Sequence, residues 1–249
     1  MMTNVVAEGM AHIRLQFSVS RSLWLPMILS GLVVPVGCAA TFAWPLVAAE
    51  RTRVVAGAVV LSALILTLAQ TGTSPVDDRV QGRRALLHVN GATAHGYLAG
   101  LAGDALIRVI FPIMVGWVAS AVLGVQIAPV GVWLIFAVLC VATLTGVGFL
   151  FSSVVSSPES SNLVINMGIV VSLALTPLFY KLNAVPMVME LIVRWLPTSL
   201  AADGIDKSFR SEGQWTVDLL GCVVWSIVLT VLGWWRAGRR FITSMSDHG

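Results

Sequence analysis

The sequence predicts an all-α, polytopic membrane protein with six transmembrane helices, organised as a single domain over residues 1–249. Three observations lead there. Of the 249 residues, 57% are hydrophobic and 11% charged, where a soluble domain carries about 25% charged residues; the mean hydropathy is +0.89. Six apolar runs are long enough to cross a hydrocarbon core of ~30 Å, which takes about 20 helical residues. The runs are continuous rather than alternating, which selects helices over barrel strands.

The elements follow in order. In residues 1–22, Val6, Met10, Ile13 and Phe17 fall at helical spacing, with Arg14 and Arg21 on other faces. That pattern predicts an amphipathic helix lying at the membrane surface. The same stretch holds Glu8 and no uninterrupted apolar region, so a cleavable signal peptide is not expected. The spans are placed at 23–47, 54–73, 97–123, 130–155, 161–180 and 217–235. Pro26, Pro35, Pro112 and Pro177 fall in or near them, as membrane helices tolerate.

Residues 75–92 form the loop after the second span. Asp77, Asp78, Arg79, Arg83, Arg84 and His88 crowd into it, interleaved with Val80, Leu86 and Leu87. A bilayer does not hold such a cluster, so the segment lies outside the hydrocarbon as a short amphipathic helix. The loop over 181–216 contains an apolar run bracketed by Pro186 and Pro197. That run is too short to span and reads as re-entrant or interfacial, with Trp195 suited to the headgroup region. Asp203 and the residues after it return through polar sequence to the last span.

Lys and Arg placement orients the chain. One side holds Arg14, Arg21, Arg79, Arg83, Arg84, Arg236, Arg239 and Arg240, all close to span ends. The other holds Arg51, Arg53, Lys181, Arg194, Lys207 and Arg210, offset in the long loop by Glu190, Asp203, Asp206, Glu212 and Asp218. Both termini are therefore expected in the cytoplasm.

Several chemistries are excluded. An intramembrane protease needs a nucleophile–base pair or paired carboxylates at membrane depth. His12, His88, His95 and His248 all fall outside the spans, and Asp104 is the single acid away from the ends of one. There is no Walker A pattern, so the chain has no P-loop for ATP. Cys38, Cys140 and Cys222 lie inside apolar runs without metal-ligand spacing. A formal charge of +3 gives no footprint for nucleic acid. No catalytic, metal or cofactor site is expected on this chain.

Within the membrane, Asp104 and Arg108 stand four apart on the third span, in the favourable acid-to-base order. They either neutralise each other in packing or serve transport. Asn162 and Asn166 share a face of the fifth span and either line a cavity or bond between helices. Gln70, Thr67 and Thr71 carry the same two readings. Gly96 and Gly100 form a small-xxx-small pair suited to close packing.

In order along the chain stand Asp78-Arg79-Val80-Gln81-Gly82 followed by Leu86-Leu87, a polar turn into Gly100, Ser156-Ser157-Pro158-Glu159-Ser160-Ser161-Asn162 opening the fifth span, Pro186, Leu196-Pro197-Thr198 with Asp203 beyond, and the basic tail Arg236 to Arg240. Taken together these motifs resemble the membrane subunit of an ABC-2 type, or type V, ABC transporter of the drug- or antibiotic-exporting kind. The resemblance covers nearly the whole length. The chain departs from the family pattern at Ala92-Thr93, where a proline is common, and at Leu178-Phe179-Tyr180, where Phe or Gly is common.

The resemblance implies a permease of the bacterial cytoplasmic membrane that pairs with a second copy or a paralogous permease. Separate ABC ATPase subunits would carry the ATP and Mg. Residues Asp78, Arg79, Gly82, Arg83, Arg84, Leu86 and Leu87 would form the coupling helix docked on that ATPase, with Leu86 and Leu87 buried in its groove and Arg83 and Arg84 as the polar rim. Gln70, Thr71, Glu159, Asn162 and Asn166 would border the pathway, and the helices between the fifth and sixth spans would close its extracellular mouth. The expected cargo is a hydrophobic or amphipathic compound, with lipid, lantibiotic, polysaccharide and haem as further classes within the family. A secondary carrier and a non-transporting assembly subunit are the readings from other classes. The carrier would show intramembrane ion ligands and internal repeats.

Overall fold

The computed structural model describes residues 24–44, 46, 48–89, 91–125, 130–176, 186–209 and 215–246. Every regular element among them is a helix. In chain order these are α1 (Trp24–Cys38), continued by a π-helical turn Ala39–Ala43, α2 (Ala48–Val80), α3 (Arg83–Val89), α4 (Ala94–Val122), α5 (Val130–Val154), α6 (Pro158–Leu175), α7 (Met187–Arg194), α8 (Pro197–Phe209) and α9 (Thr216–Ser246). The interfacial helix expected over 1–22 lies outside the described residues.

Among the described residues, five helices are long and apolar enough to cross a membrane: α2, α4, α5, α6 and α9. The first expected span is the shorter α1 with Pro35 inside it, prolonged by the π turn. The protein is thus an all-α polytopic membrane protein.

The termini of the helices obey local chemistry. Thr93 caps α4 by accepting from the Gly96 amide at 3.0 Å, satisfying one orphan donor of the first turn. Ser157 caps α6 by accepting from the Ser160 amide at 3.2 Å, with Pro158 at the first helical position and Glu159 in the first turn. Gly82 sits at φ +69 between α2 and α3, a backbone that glycine adopts without a Cβ clash.

Two boundaries correct the sequence reading. The second span, placed at 54–73, continues as helix to Val80, so Pro75, Asp77, Asp78 and Arg79 belong to it and not to a separate loop. The last span, placed at 217–235, continues to Ser246, so Arg236, Arg239 and Arg240 ride on helix. The polar sequence expected from Asp203 onward is, as far as Phe209, part of helix α8, with Ile205 buried.

Lipid tails are as apolar as leucine, so close approach of backbones, rather than hydrophobic exclusion, holds such helices together. The helix α5 is the spine. A Cβ on Gly146 would lie 2.3 Å from the Leu229 carbonyl of α9, and one on Gly233 would lie 2.3 Å from the Gly146 carbonyl. On another side of α5, Gly148 meets Thr71 and Gly72 of α2. Gly116 brings α4 onto Val59 of α2, and Gly204 brings α8 onto Phe136 of α5. As a result α2 is interior, with most of its apolar stretch buried, while α6 is peripheral, with little of it buried.

Candidate functional site

The charged residues around Gly82 do not form one solvated face. They divide into an anchor and an exposed surface. Asp78, on the last turn of α2, is 2% exposed. Its carboxylate accepts a hydrogen bond from the Tyr97 hydroxyl of α4 at 2.8 Å and pairs with Arg83 of α3 at 3.3 Å. Arg84 is also buried. Its guanidinium donates to the Pro75 carbonyl at 2.5 Å and lies 5.7 Å from the Tyr97 ring and 5.6 Å from the Phe241 ring, within cation–π range. Tyr97 and Phe241 pack on each other at 5.4 Å, inside a small cluster completed by Leu98, Leu101, Phe149 and Ala237. The short helix α3 is therefore fastened at once to α2, α4 and α9.

Arg84 was expected on a polar rim with Arg83, and the structure corrects this. Two aromatic rings and a proline carbonyl enclose it, leaving Arg83 as the exposed guanidinium of the pair. Leu87 is half-buried against the Tyr97 cluster. The surface that remains is formed by Val80, Gln81, Gly82, Arg83, Leu86 and Val89, with Leu86 65% and Val89 84% exposed.

Arg79 extends the anchor to α6. It donates to the carbonyls of Val155 and Ser156, at 2.6 and 3.2 Å, in the turn that starts α6. One helical turn deeper, the Ser161 hydroxyl of α6 donates to the Gly72 carbonyl of α2 at 3.1 Å. The start of α6 is thus tied to the same stretch of α2 that carries α3.

On the far side of α6, Glu159, Asn162 and Asn166 are exposed, in a face shared with Leu163, Met167 and Val170. Gln70 is half-buried, and its Nε2 is buried without a hydrogen-bond partner. Thr71, grouped with them by sequence, points elsewhere: it is fully buried against Gly148, its hydroxyl bonded to the Thr67 carbonyl at 2.7 Å. A side chain enclosed within one subunit does not line a pathway, so Thr71 leaves that set. Asp104 and Arg108 meet at 2.7 Å, with both side chains largely buried.

The opposite end of the molecule carries its own polar cluster, where α8 meets α2 and α9. Thr52 donates to Asp206 at 2.5 Å, Arg53 pairs with Asp203 at 3.2 Å, and Lys207 pairs with Asp218 at 2.6 Å. Burial pushes the Asp203 carboxyl above its ordinary value, and Arg53 and Lys207 pull against that rise. Among the described residues, no group of three His, Cys, Asp or Glu side chains gathers to hold a metal ion.

Tyr97 and Phe241 were missed as functional partners by sequence reasoning. The available signal was slight: Tyr97 is one of two tyrosines in the chain, placed in the first turn of a span facing a charged loop.

No curated protein matches the chain. The family described as ABC-2 type transporter matches residues 10–209. With an all-helical, multi-span architecture and a match over most of its length, the chain belongs to the ABC-2 type transporter family, as a membrane permease component of an ABC transporter.

Proposed function

We propose that this chain is the permease subunit of an ATP-driven exporter of a hydrophobic or amphipathic compound, and that its ATPase docks on the exposed surface of α3. The observation that carries this reading is the pairing of a solvent-exposed apolar tip, Leu86 and Val89, with a buried ionic anchor, Asp78 and Arg84, directly beneath it. A helix that only lay on lipid headgroups would need no such mounting. A push on α3 moves α2 through Arg84 and Asp78, and α6 through Arg79 and Ser161.

The exposed face of α6 supports pairing with a second permease, either a copy or a paralogue. Such a face of Leu163, Met167 and Val170 flanked by Asn162 and Asn166 supplies both packing and amide hydrogen bonds at a helix–helix contact. The basic residues near Gly82 and along the end of α9 support a cytoplasmic position for this end in a bacterial cytoplasmic membrane. ATP and Mg belong to the partner ATPase. The acid that a proton-coupled carrier would use, Asp104, is neutralised by Arg108, which favours the ATP-driven reading over the carrier.

Co-purification with the ATPase tests the proposal. Leu86→Asp with Val89→Asp should lower ATPase recovery by roughly tenfold, the effect of about 1.4 kcal/mol. The same change at exposed Met187 and Val188 of α7 should leave recovery unchanged. Equal recovery in both variants contradicts the assignment.

A further inference from the structure

At the end opposite Gly82, a groove of about 430 Å³ runs between α1 and α4. Leu32, Val36, Ala40 and Trp44 form one wall, and Met114 and Val118 form much of the other. From Met114 to Val122 is about 12 Å of helix, and from Leu32 to Trp44 about 18 Å. One leaflet of a ~30 Å core is about 15 Å deep, so the groove has the depth of one leaflet. Its walls face the surroundings: Val36 and Val118 are about half exposed, and Val122 more so.

The groove ends at a cation. Arg51 donates to the carbonyls of Trp44 and Leu123, both lining residues, at 3.4 and 3.0 Å, and to that of Leu46 at 2.9 Å. A guanidinium has five N–H groups, and these carbonyls of the described residues use three of them. No carboxylate among the described residues pairs with Arg51. An apolar slot one leaflet deep, closed at its polar end by an arginine that bonds carbonyls and by an exposed tryptophan, matches an acyl chain with a phosphate at its head.

We propose that this groove holds an acyl chain of an anionic glycerophospholipid whose phosphate rests on Arg51. The site depends on membrane embedding alone and stands whether or not α3 docks an ATPase. Native mass spectrometry of the full chain in detergent tests it, with phosphatidylglycerol or a diacylglycerol of the same acyl chains as probe. Wild-type protein should retain phosphatidylglycerol roughly tenfold better than diacylglycerol. Arg51→Gln should bring phosphatidylglycerol down to the diacylglycerol level, and Ala40→Trp, which fills the slot, should lower both. Equal retention of the two lipids by wild-type protein overturns the proposal without need of a variant. Undiminished phosphatidylglycerol on Arg51→Gln also overturns it. So does a disulfide between Val118→Cys copies in membranes, which would place a second chain in the groove.

Discussion

The Tyr97 hydroxyl donates a hydrogen bond to Asp78 at 2.8 Å, joining the first turn of α4 to the last turn of α2 at a point where both side chains are buried. Tyr97→Phe removes the donor and keeps the ring. A buried carboxylate left short of one partner costs about 1–3 kcal/mol. The variant should therefore melt earlier than wild type. Its ATPase, if still bound, should be stimulated less by cargo, because α3 is no longer held rigidly. Thermal unfolding and cargo-stimulated ATP hydrolysis read the two effects separately.

The Asp104–Arg108 pair gives a second expectation. Arg108→Ala leaves Asp104 buried without its nearest cation, and breaking a buried pair from one side costs about 3–5 kcal/mol. Asp104→Asn combined with Arg108→Gln removes both charges and should recover most of that loss. Recovery of transport along with stability in the double variant marks the pair as a packing element. Recovery of stability alone marks it as part of transport.

Gly146 tests the helix spine. Gly146→Val places side-chain atoms where the Leu229 backbone already lies, and overpacking of this kind costs roughly 1–3 kcal/mol or more. Gly37→Ala, where nothing lies within 4 Å of the added carbon, should be tolerated. Yield of folded protein after size-exclusion chromatography compares the two, and normal yield of Gly146→Val would contradict the α5–α9 contact.

The raised Asp203 carboxyl sets a pH dependence. Its cause is burial, with Arg53 and Lys207 opposing. A carboxyl whose value is raised on folding binds its proton more tightly in the folded state. Its stabilising contribution is therefore present below the ordinary value of 3.8 and is lost as pH rises through the higher folded value. Wild-type protein should lose stability relative to Asp203→Asn across that window. Thermal unfolding of both proteins from acid to neutral pH measures the difference, and parallel curves contradict it.

Much of this fold was legible because apolar runs of about 20 residues have few alternatives in a membrane. The errors came where charge was taken to mean exposure. Pro75, Asp77 and Asp78 read as loop, yet they lie on the last turns of α2, where Tyr97 and Arg83 satisfy the Asp78 carboxylate. Arg84 read as a rim residue because its neighbours in sequence are charged. The rings that enclose it, Tyr97 and Phe241, come from α4 and α9 and have no signature near it in the chain. The same holds for Thr71, whose partner Gly148 is one glycine among 22. The Asp104–Arg108 contact was readable, since helical spacing alone brings residues four apart together.

Site-directed cross-linking tests the central assignment, that the outer surface of α3 receives the ATPase. With Cys38, Cys140 and Cys222 changed to alanine, single cysteines at Val80, Leu86 and Val89 should each cross-link to the co-expressed ATPase in membranes. A cysteine at the buried neighbour Leu98, or at exposed Val188 of α7, should not. Cross-linking at none of the three α3 positions, with the ATPase bound and active, would contradict the account.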